Sequence, residues 1–288
     1  MTTGSEQPGE TSPTLRRRLL AAELRRLRGK RSREEAAKAI GLTGTAITRF
    51  ETVYTAPTEL QVRGLLDVYE ATPEEHDRLI GLCRDSQLLD WWQPHREAIP
   101  SQYEFFFGLE TEAAKIRSYE LGFIPGLLQT ADYYRSYLLT PPVAFPEDDI
   151  EKLVQFRLAR QKRRLTGPNL HVILDEAVLH RHVGGSHVMR DQLEHIHRTV
   201  SSHQNITLQI LPFSAGSHQA LDGSFLIMEF AEQTFQDVVY LESQVEGRYL
   251  EAIDTVNRYN LVFDHLTYQA LSAEESLKLL GRTERSIR

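Results

Sequence analysis

SREEAAKAIGLTGTAITRFE, residues 32–51, decides the fold of the first part of this chain. Ser32 and Glu35 carry the capping-box signature, in which the serine oxygen takes one orphan N–H and the glutamate reaches back to the N-cap amide. The helix so opened runs over 33–40 and stops at Gly41, after which Thr43 caps a second, short helix over 44–50. Ala37 precedes the glycine by four residues; Ile47 follows it by six and Glu51 by ten. Two helices joined by so tight a turn need a small residue in the first, so that the second can approach closely. They also need a glycine at the turn and a buried aliphatic in the second helix. The pattern A-x-x-x-G-x-x-x-x-x-I-x-x-x-E supplies all three.

Working outward, apolar residues at 15, 19, 20, 24 and 27 fall at helical spacing over 15–28, and Gly29 ends that helix. Thr58 and Gln61 form another capping box, opening a helix over 59–69. Thr72-Pro73-Glu74-Glu75 combines a cap, proline at the first helical position and acids in the first turn, favouring a helix over 73–89. Five short helices predict a compact all-α domain over 14–90. Residues 1–13, rich in Gly, Pro, Ser, Thr and Glu, predict a disordered tail.

At 288 residues the chain is long enough for two domains, and 41% hydrophobic with 25% charged residues excludes wholesale disorder. The net charge of −7 is unevenly spread. Residues 1–70 hold twelve Lys/Arg against nine Asp/Glu, a net +3, leaving −10 for the remainder. Within 15–33 there are nine basic residues and one acid, Glu23. A basic face on an acidic body is the electrostatic footprint of a nucleic-acid binder, because the acidic part is repelled and turns the basic end toward DNA. Cys83 is the single cysteine, which excludes an intramolecular disulfide and a Cys-rich zinc site. No apolar run approaches the roughly 20 residues of a membrane span, and the N-terminus lacks an apolar signal-peptide core. The expectation is a cytoplasmic protein with no membrane partner.

The pattern of Ala37, Gly41, Ile47 and Glu51, flanked by helices on both sides, resembles the phage-repressor family of helix-turn-helix regulators (Cro/C1-type, also called XRE) over about 60 residues. The resemblance implies a sequence-specific transcription regulator that binds double-stranded operator DNA. It acts as a homodimer on paired half-sites, since one short helix reads too few bases. It places Thr43, Gly44, Thr45, Ala46, Thr48 and Arg49 at the DNA. Arg49 then reads guanine O6 and N7 bidentately, or holds a phosphate; Thr45 and Thr48 touch phosphate or offer a methyl to thymine. Arg31, Arg33 and Lys38 contact phosphates and set register. Two departures narrow the reading surface. Gly44 stands where family members often carry an adenine-reading glutamine, and the loop Val53-Tyr54-Thr55-Ala56-Pro57, often basic in the family, has no positive charge. A domain retained only for assembly is the alternative.

Asp90-Trp91-Trp92-Gln93-Pro94 reads as a boundary, with a second domain over 91–288. Helices are expected over 103–116, 129–138 and 148–165, then 188–203 and 251–266, with a last one capped by Ser272. Strands are expected over 170–174, 206–211, 224–230 and 238–242 from their β-branched and aromatic content. The molecule is thus mainly α, a five-helix domain followed by an α+β domain with a small sheet. Several segments resemble the uncharacterised domain of WhiJ-type actinobacterial regulators. They are Leu109-Glu110 through Tyr119-Glu120, Ile124-Pro125-Gly126-Leu127-Leu128-Gln129-Thr130, Leu174-Asp175-Glu176, Val183-Gly184-Gly185 and 206–213. That resemblance implies a regulator of development or secondary metabolism, often encoded beside a small partner protein.

No hydrolase, metalloprotease, P-loop or dinucleotide motif is present, so the reading is a non-enzyme with no catalytic residue and no cofactor. Seven of the eleven histidines fall within 180–218, but His195 and His197 point roughly 200° apart on a helix. Solvated or hydrogen-bonding histidines are favoured over a metal site. Two clusters could line a ligand or partner pocket: Glu110, Arg117 and Glu120 with Gln129, and Asp175 and Glu176 with His218 and Glu242. In the first, Glu110 and Arg117 are placed two turns apart on one helix face; salt bridges joining helices to the sheet are the alternative. Lys152, Arg157, Arg160, Lys162, Arg163 and Arg164 lie on a helix with an apolar line of Val154, Leu158 and Leu165. They form a second DNA surface, a dock for an acidic partner, or a solvated face. The leading function is a DNA-binding regulator whose second domain senses a ligand, binds a partner or dimerises. An antitoxin-like autoregulator that sequesters a small co-encoded protein is the alternative.

Overall fold

Pro13 opens the first helix of the structure, a computed structural model that describes residues 13–87, 91–97, 99, 103–142, 145–231, 236–244 and 246–287. The rest of the tail expected over 1–13 lies outside the described residues. The chain divides into two units, Met1–Pro94 with Phe105–Glu112, and His95–Glu104 with Ala113–Arg288.

The first unit carries α1 (Pro13–Arg28), α2 (Arg33–Ala39), α3 (Gly44–Glu51), α4 (Glu59–Val68) and α5 (Pro73–Asp85). Both expected capping boxes form with both halves made, at Ser32/Glu35 and Thr58/Gln61, and the cap expected at Thr72 is a third, closed by Glu75. Each such cap is worth about 1 kcal/mol. The Ala37–Gly41 spacing has a local cause. Gly41 sits at φ +72°, its N–H donates to the Lys38 carbonyl at 3.3 Å, and the Leu42 N–H donates to the Ala37 carbonyl at 2.8 Å. This paired closure is a Schellman motif, whose left-handed residue favours glycine because no Cβ clashes there. Ala37 and Ile47 are buried with Leu20, Leu24, Val62 and Leu66 in one apolar cluster. Burial of each large aliphatic contributes about 1.5–3 kcal/mol. The fifth helix, expected to reach 89, ends at Asp85; the Ser86 hydroxyl donates back to the Cys83 carbonyl at 2.7 Å, and 88–90 lie outside the described residues.

After α6 (Glu104–Glu112), the second unit is built on a six-stranded sheet in the order β3-β2-β1-β4-β5-β6. The strands are β1 (Lys115–Glu120), β2 (Asn169–Asp175), β3 (Ile206–Leu211), β4 (Phe225–Glu229), β5 (Val238–Glu242) and β6 (Gly247–Leu250). β1 pairs parallel with β2, and β2 with β3, whereas the β1–β4, β4–β5 and β5–β6 pairs are antiparallel. The helices are α7 (Ala131–Leu138), α8 (Glu147–Arg164), α9 (Ala177–His180), α10 (Gly185–Ser202), α11 (Ile253–Gln269) and α12 (Ala273–Ser286). Phe263 and Leu266 of α11 bury one sheet face with Tyr119, Ile173, Phe225 and Val239. The outer edge of β3 is closed by the α11–α12 turn: Leu271 N–H donates to the Ile210 carbonyl and Ile210 N–H donates to Ser276 Oγ, both at 2.9 Å. That covering removes an edge open to other strands.

Of the described residues, 58% are helical, and the mainly-α reading with an α+β second part stands. The helix expected over 103–116 needs correction. It stops at Glu112, and Lys115–Glu120 is a central strand. Alternation then puts Arg117 and Glu120 on opposite sheet faces, so they cannot line one pocket. The apolar line expected on α8 also shifts. Its buried residues are Ile150, Val154, Phe156, Gln161 and Arg164, while Leu158 is exposed.

Candidate nucleic-acid interface

The helix-turn-helix is locked from behind by Glu51, the last residue of α3. Its side chain is only 2% exposed and accepts from Arg28 Nε at 2.5 Å and from Arg33 Nε at 2.9 Å. Burial alone would raise this carboxyl, but hydrogen bonds from Arg28 and Arg33 outweigh it and hold it below the usual carboxylate range. Arg28 also donates to the Arg31 carbonyl at 2.7 Å, tying the α1–α2 connection to the same knot.

Of the residues expected at the DNA, several serve the scaffold. Thr43 caps α3, its hydroxyl accepting from Ala46 N–H at 3.3 Å. Thr48 is half-buried and donates to the Gly44 carbonyl at 3.1 Å, and Ala46 packs against the core. Arg33 is held by Glu51, and Arg31 pairs with Glu70 at 2.9 Å. Thr45, Arg49 and Lys38 are exposed. Gly44 is covered by the Glu34 side chain, whose carboxylate lies where a Cβ would stand.

Arg49 owes its setting to the end of α3, where Val53 sits at φ +60° in a second Schellman motif. Val53 N–H donates to the Phe50 carbonyl at 3.2 Å and Tyr54 N–H to the Arg49 carbonyl at 2.9 Å. This closure brings the Tyr54 ring beneath the Arg49 guanidinium, 5.5 Å from the ring centre. A cation over an exposed ring gains about 0.5–1 kcal/mol, so Arg49 is steadied without losing its charge. Sequence reasoning misses Tyr54, although its position two residues past the helix cap is the signal. A β-branched residue is disfavoured in the left-handed region. Val53→Gly is expected to stabilise the first unit by roughly 1 kcal/mol, read as a raised midpoint in thermal unfolding. An unchanged or lowered midpoint contradicts the strain.

In the second unit the expected clusters regroup. Arg117 is buried on β1 and pairs with Glu229 at 2.5 Å and with Asp264 at 3.1 Å, under the Phe263 ring. Glu110 is buried and belongs to the first unit. Asp175 caps Ala177 N–H at 2.9 Å, and its charge joins burial in raising the Tyr119 hydroxyl, whose ring lies 5.7 Å from His218. Glu176 accepts from Phe213 N–H at 2.7 Å. Glu120, on the other face, accepts from Ser118 Oγ at 2.7 Å. Burial pushes its carboxyl up to about 7 against the hydrogen bonds from Ser118 and Ser224, and the charge of Glu242 adds to the rise.

The α8 face expected to carry DNA or a partner turns partly inward. Arg157 donates to Gln129 Oε1 at 2.5 Å and stacks on Tyr134 at 3.5 Å; Arg164 donates to the Ala113 carbonyl at 3.1 Å. Gln161 Nε2 donates to the Gly126 carbonyl at 2.7 Å and to the Gln129 carbonyl at 2.8 Å, and Gln192 Nε2 donates to the Leu128 carbonyl at 2.7 Å. Buried amides and a guanidinium thereby truss the loop between β1 and α7. Among the described residues, no three His, Cys, Asp or Glu side chains converge as metal ligands would, and no helix is long and apolar enough to cross a membrane.

Residues 103–282 match the family described as a domain of unknown function (DUF5753), and residues 19–79 match the family described as a helix-turn-helix domain. No curated protein and no solved structure matches the chain.

Proposed function

The chain belongs to the DUF5753 family and carries a helix-turn-helix domain ahead of that region, and from this premise we propose that it is a sequence-specific DNA-binding transcription regulator. The observation that carries the reading is Arg49, exposed on α3, steadied by Tyr54 and with no acidic partner among the described residues, while Ile47 and Phe50 anchor the opposite face of the helix. The protein acts in the cytoplasm as a homodimer on paired half-sites, because eight helical residues span too few base pairs for selectivity. It is of the WhiJ-like kind, regulating development or secondary metabolism, and its second unit receives the signal. Two polar features of that unit, the Glu120 carboxyl raised by burial and the Arg157–Gln129 pair, support a small polar ligand in that role, with no catalytic step assigned to it.

Arg49→Ala is expected to lose about ten- to a hundredfold of its discrimination between operator and unrelated DNA, with an unchanged circular dichroism spectrum. Footprinting of both proteins at one salt concentration measures this. Binding should also weaken steeply with added salt, through lost counterion release. An unchanged footprint in Arg49→Ala removes Arg49 from base reading, and salt-independent binding removes the phosphate contacts altogether.

A further inference from the structure

We infer that Glu34 is a specificity-determining residue that selects cytosine at the base pair facing the start of α3, an inference that rests on the DNA-binding reading above. A Cβ at Gly44 would meet the Glu34 carboxylate carbon at 2.8 Å and its Cγ at 3.2 Å, so this carboxylate fills the space a side chain at 44 would use. Its neighbour Glu35 is consumed by the capping box, accepting from Ser32 N–H at 3.0 Å. Glu34 is exposed and forms no ion pair or side-chain hydrogen bond among the described residues. Of the nearby cations, Arg33 is held by Glu51 and Arg31 by Glu70, and Lys38, one turn further along α2, makes no ion pair with it among the described residues. The front of the reading surface therefore offers a bare acceptor, and its rear offers the Arg49 donor.

A carboxylate accepts hydrogen bonds and gives none. Guanine presents only acceptors, N7 and O6, in the major groove, and thymine presents O4 with a methyl. Both repel it or leave it dry and unpaired. Adenine sets its N6 donor beside the N7 acceptor, so one carboxylate oxygen is satisfied and the other opposed. Cytosine alone shows the N4 donor without an adjacent acceptor. Gly44 makes this possible: any larger residue there would displace Glu34 from the front of the helix. The missing side chain thus exchanges one base contact for another.

The test is selection from a random-sequence duplex library by the full chain, with Glu34→Ala and Glu34→Gln run at the same salt. Wild type is expected to fix a cytosine at one position of each half-site. Glu34→Ala loses roughly tenfold or more of that preference and keeps the others. Glu34→Gln moves the preference at that position to adenine, which glutamine pairs bidentately. Glu34 is exposed and unpaired, so both variants should fold, losing at most the modest stabilisation that a first-turn acid gives α2. Uniformly tighter binding of Glu34→Ala to every sequence, with the salt slope changed by about one phosphate contact, would place the carboxylate against the backbone and overturn the inference. An unchanged selection overturns it equally. A wild-type chain that selects no sequence overturns the DNA-binding reading itself, and this inference with it.

Discussion

Glu51→Ala is expected to destabilise the first unit by about 3–5 kcal/mol, the range for removing one partner from a buried ion pair. The carboxylate is 2% exposed and Arg28, its closest partner, is 13% exposed, so truncation leaves a poorly hydrated guanidinium without its counter-charge, held only by backbone carbonyls. The loss is not compensated locally, because the second guanidinium, Arg33, is bound to the same carboxylate at 2.9 Å. Against a typical domain stability of about 5–15 kcal/mol, this is a large fraction. For a domain of this size, each kcal/mol lowers the melting temperature by roughly 4–8 °C, so the first unit's transition in calorimetry of the full chain should drop by well over 10 °C. Glu51→Gln keeps an acceptor for one arginine and should fall between. The pH dependence follows from the lowered pKa. The folded carboxyl titrates below its unfolded value, so its stabilisation is fully present above about 4.5 and is lost as pH falls through the lowered folded value. Wild type should lose stability in that acid range while Glu51→Ala loses less. A variant melting within a degree or two of wild type would show that the knot contributes nothing.

That knot shows what a sequence exposes and what it conceals. Ser32, Gly41 and Ile47 are readable because their causes are local: a cap, a left-handed turn and a helical period. Glu51 is readable as a position in a pattern, but its partner Arg28 is 23 residues away and no spacing rule names it. β1 is concealed for the same reason, more severely. In Lys-Ile-Arg-Ser-Tyr-Glu the strand interior is buried on both faces, so apolar–polar alternation fails. Arg117 is tolerable there only because Glu229, Asn260 and Asp264 converge on it from β4 and α11, more than 100 residues along the chain. Arg157 and Gln161 on α8 are legible as polar residues at helical spacing. Which way they face is set by the carbonyls and side chain of the Gly126–Gln129 loop, beyond the reach of helical period.

Glu120→Gln is the complementary case, in which removing a charge stabilises. The unfolded carboxyl titrates near 4.5 and the folded one near 7, so between those values the folded chain keeps a proton that the unfolded chain has released. Stability of the second unit therefore falls as pH rises from about 4.5 to about 7 and levels off above, opposite in direction to the Glu51 effect. The decline from this group amounts to as much as about 3 kcal/mol, since every tenfold difference in proton affinity between the folded and unfolded chain corresponds to about 1.4 kcal/mol. Glutamine is nearly isosteric, can accept from Ser118 and does not titrate. The variant should match wild type near pH 4 and exceed it by up to about 3 kcal/mol near pH 8. Urea unfolding of the full chain, followed through the second unit's transition at several pH values, measures the gap. Parallel pH profiles for the two proteins would mean that Glu120 is ionised in the fold at no cost. A widening gap, by contrast, means that the native chain retains a carboxyl it would be more stable without, as expected of a group kept for binding a ligand rather than for the fold.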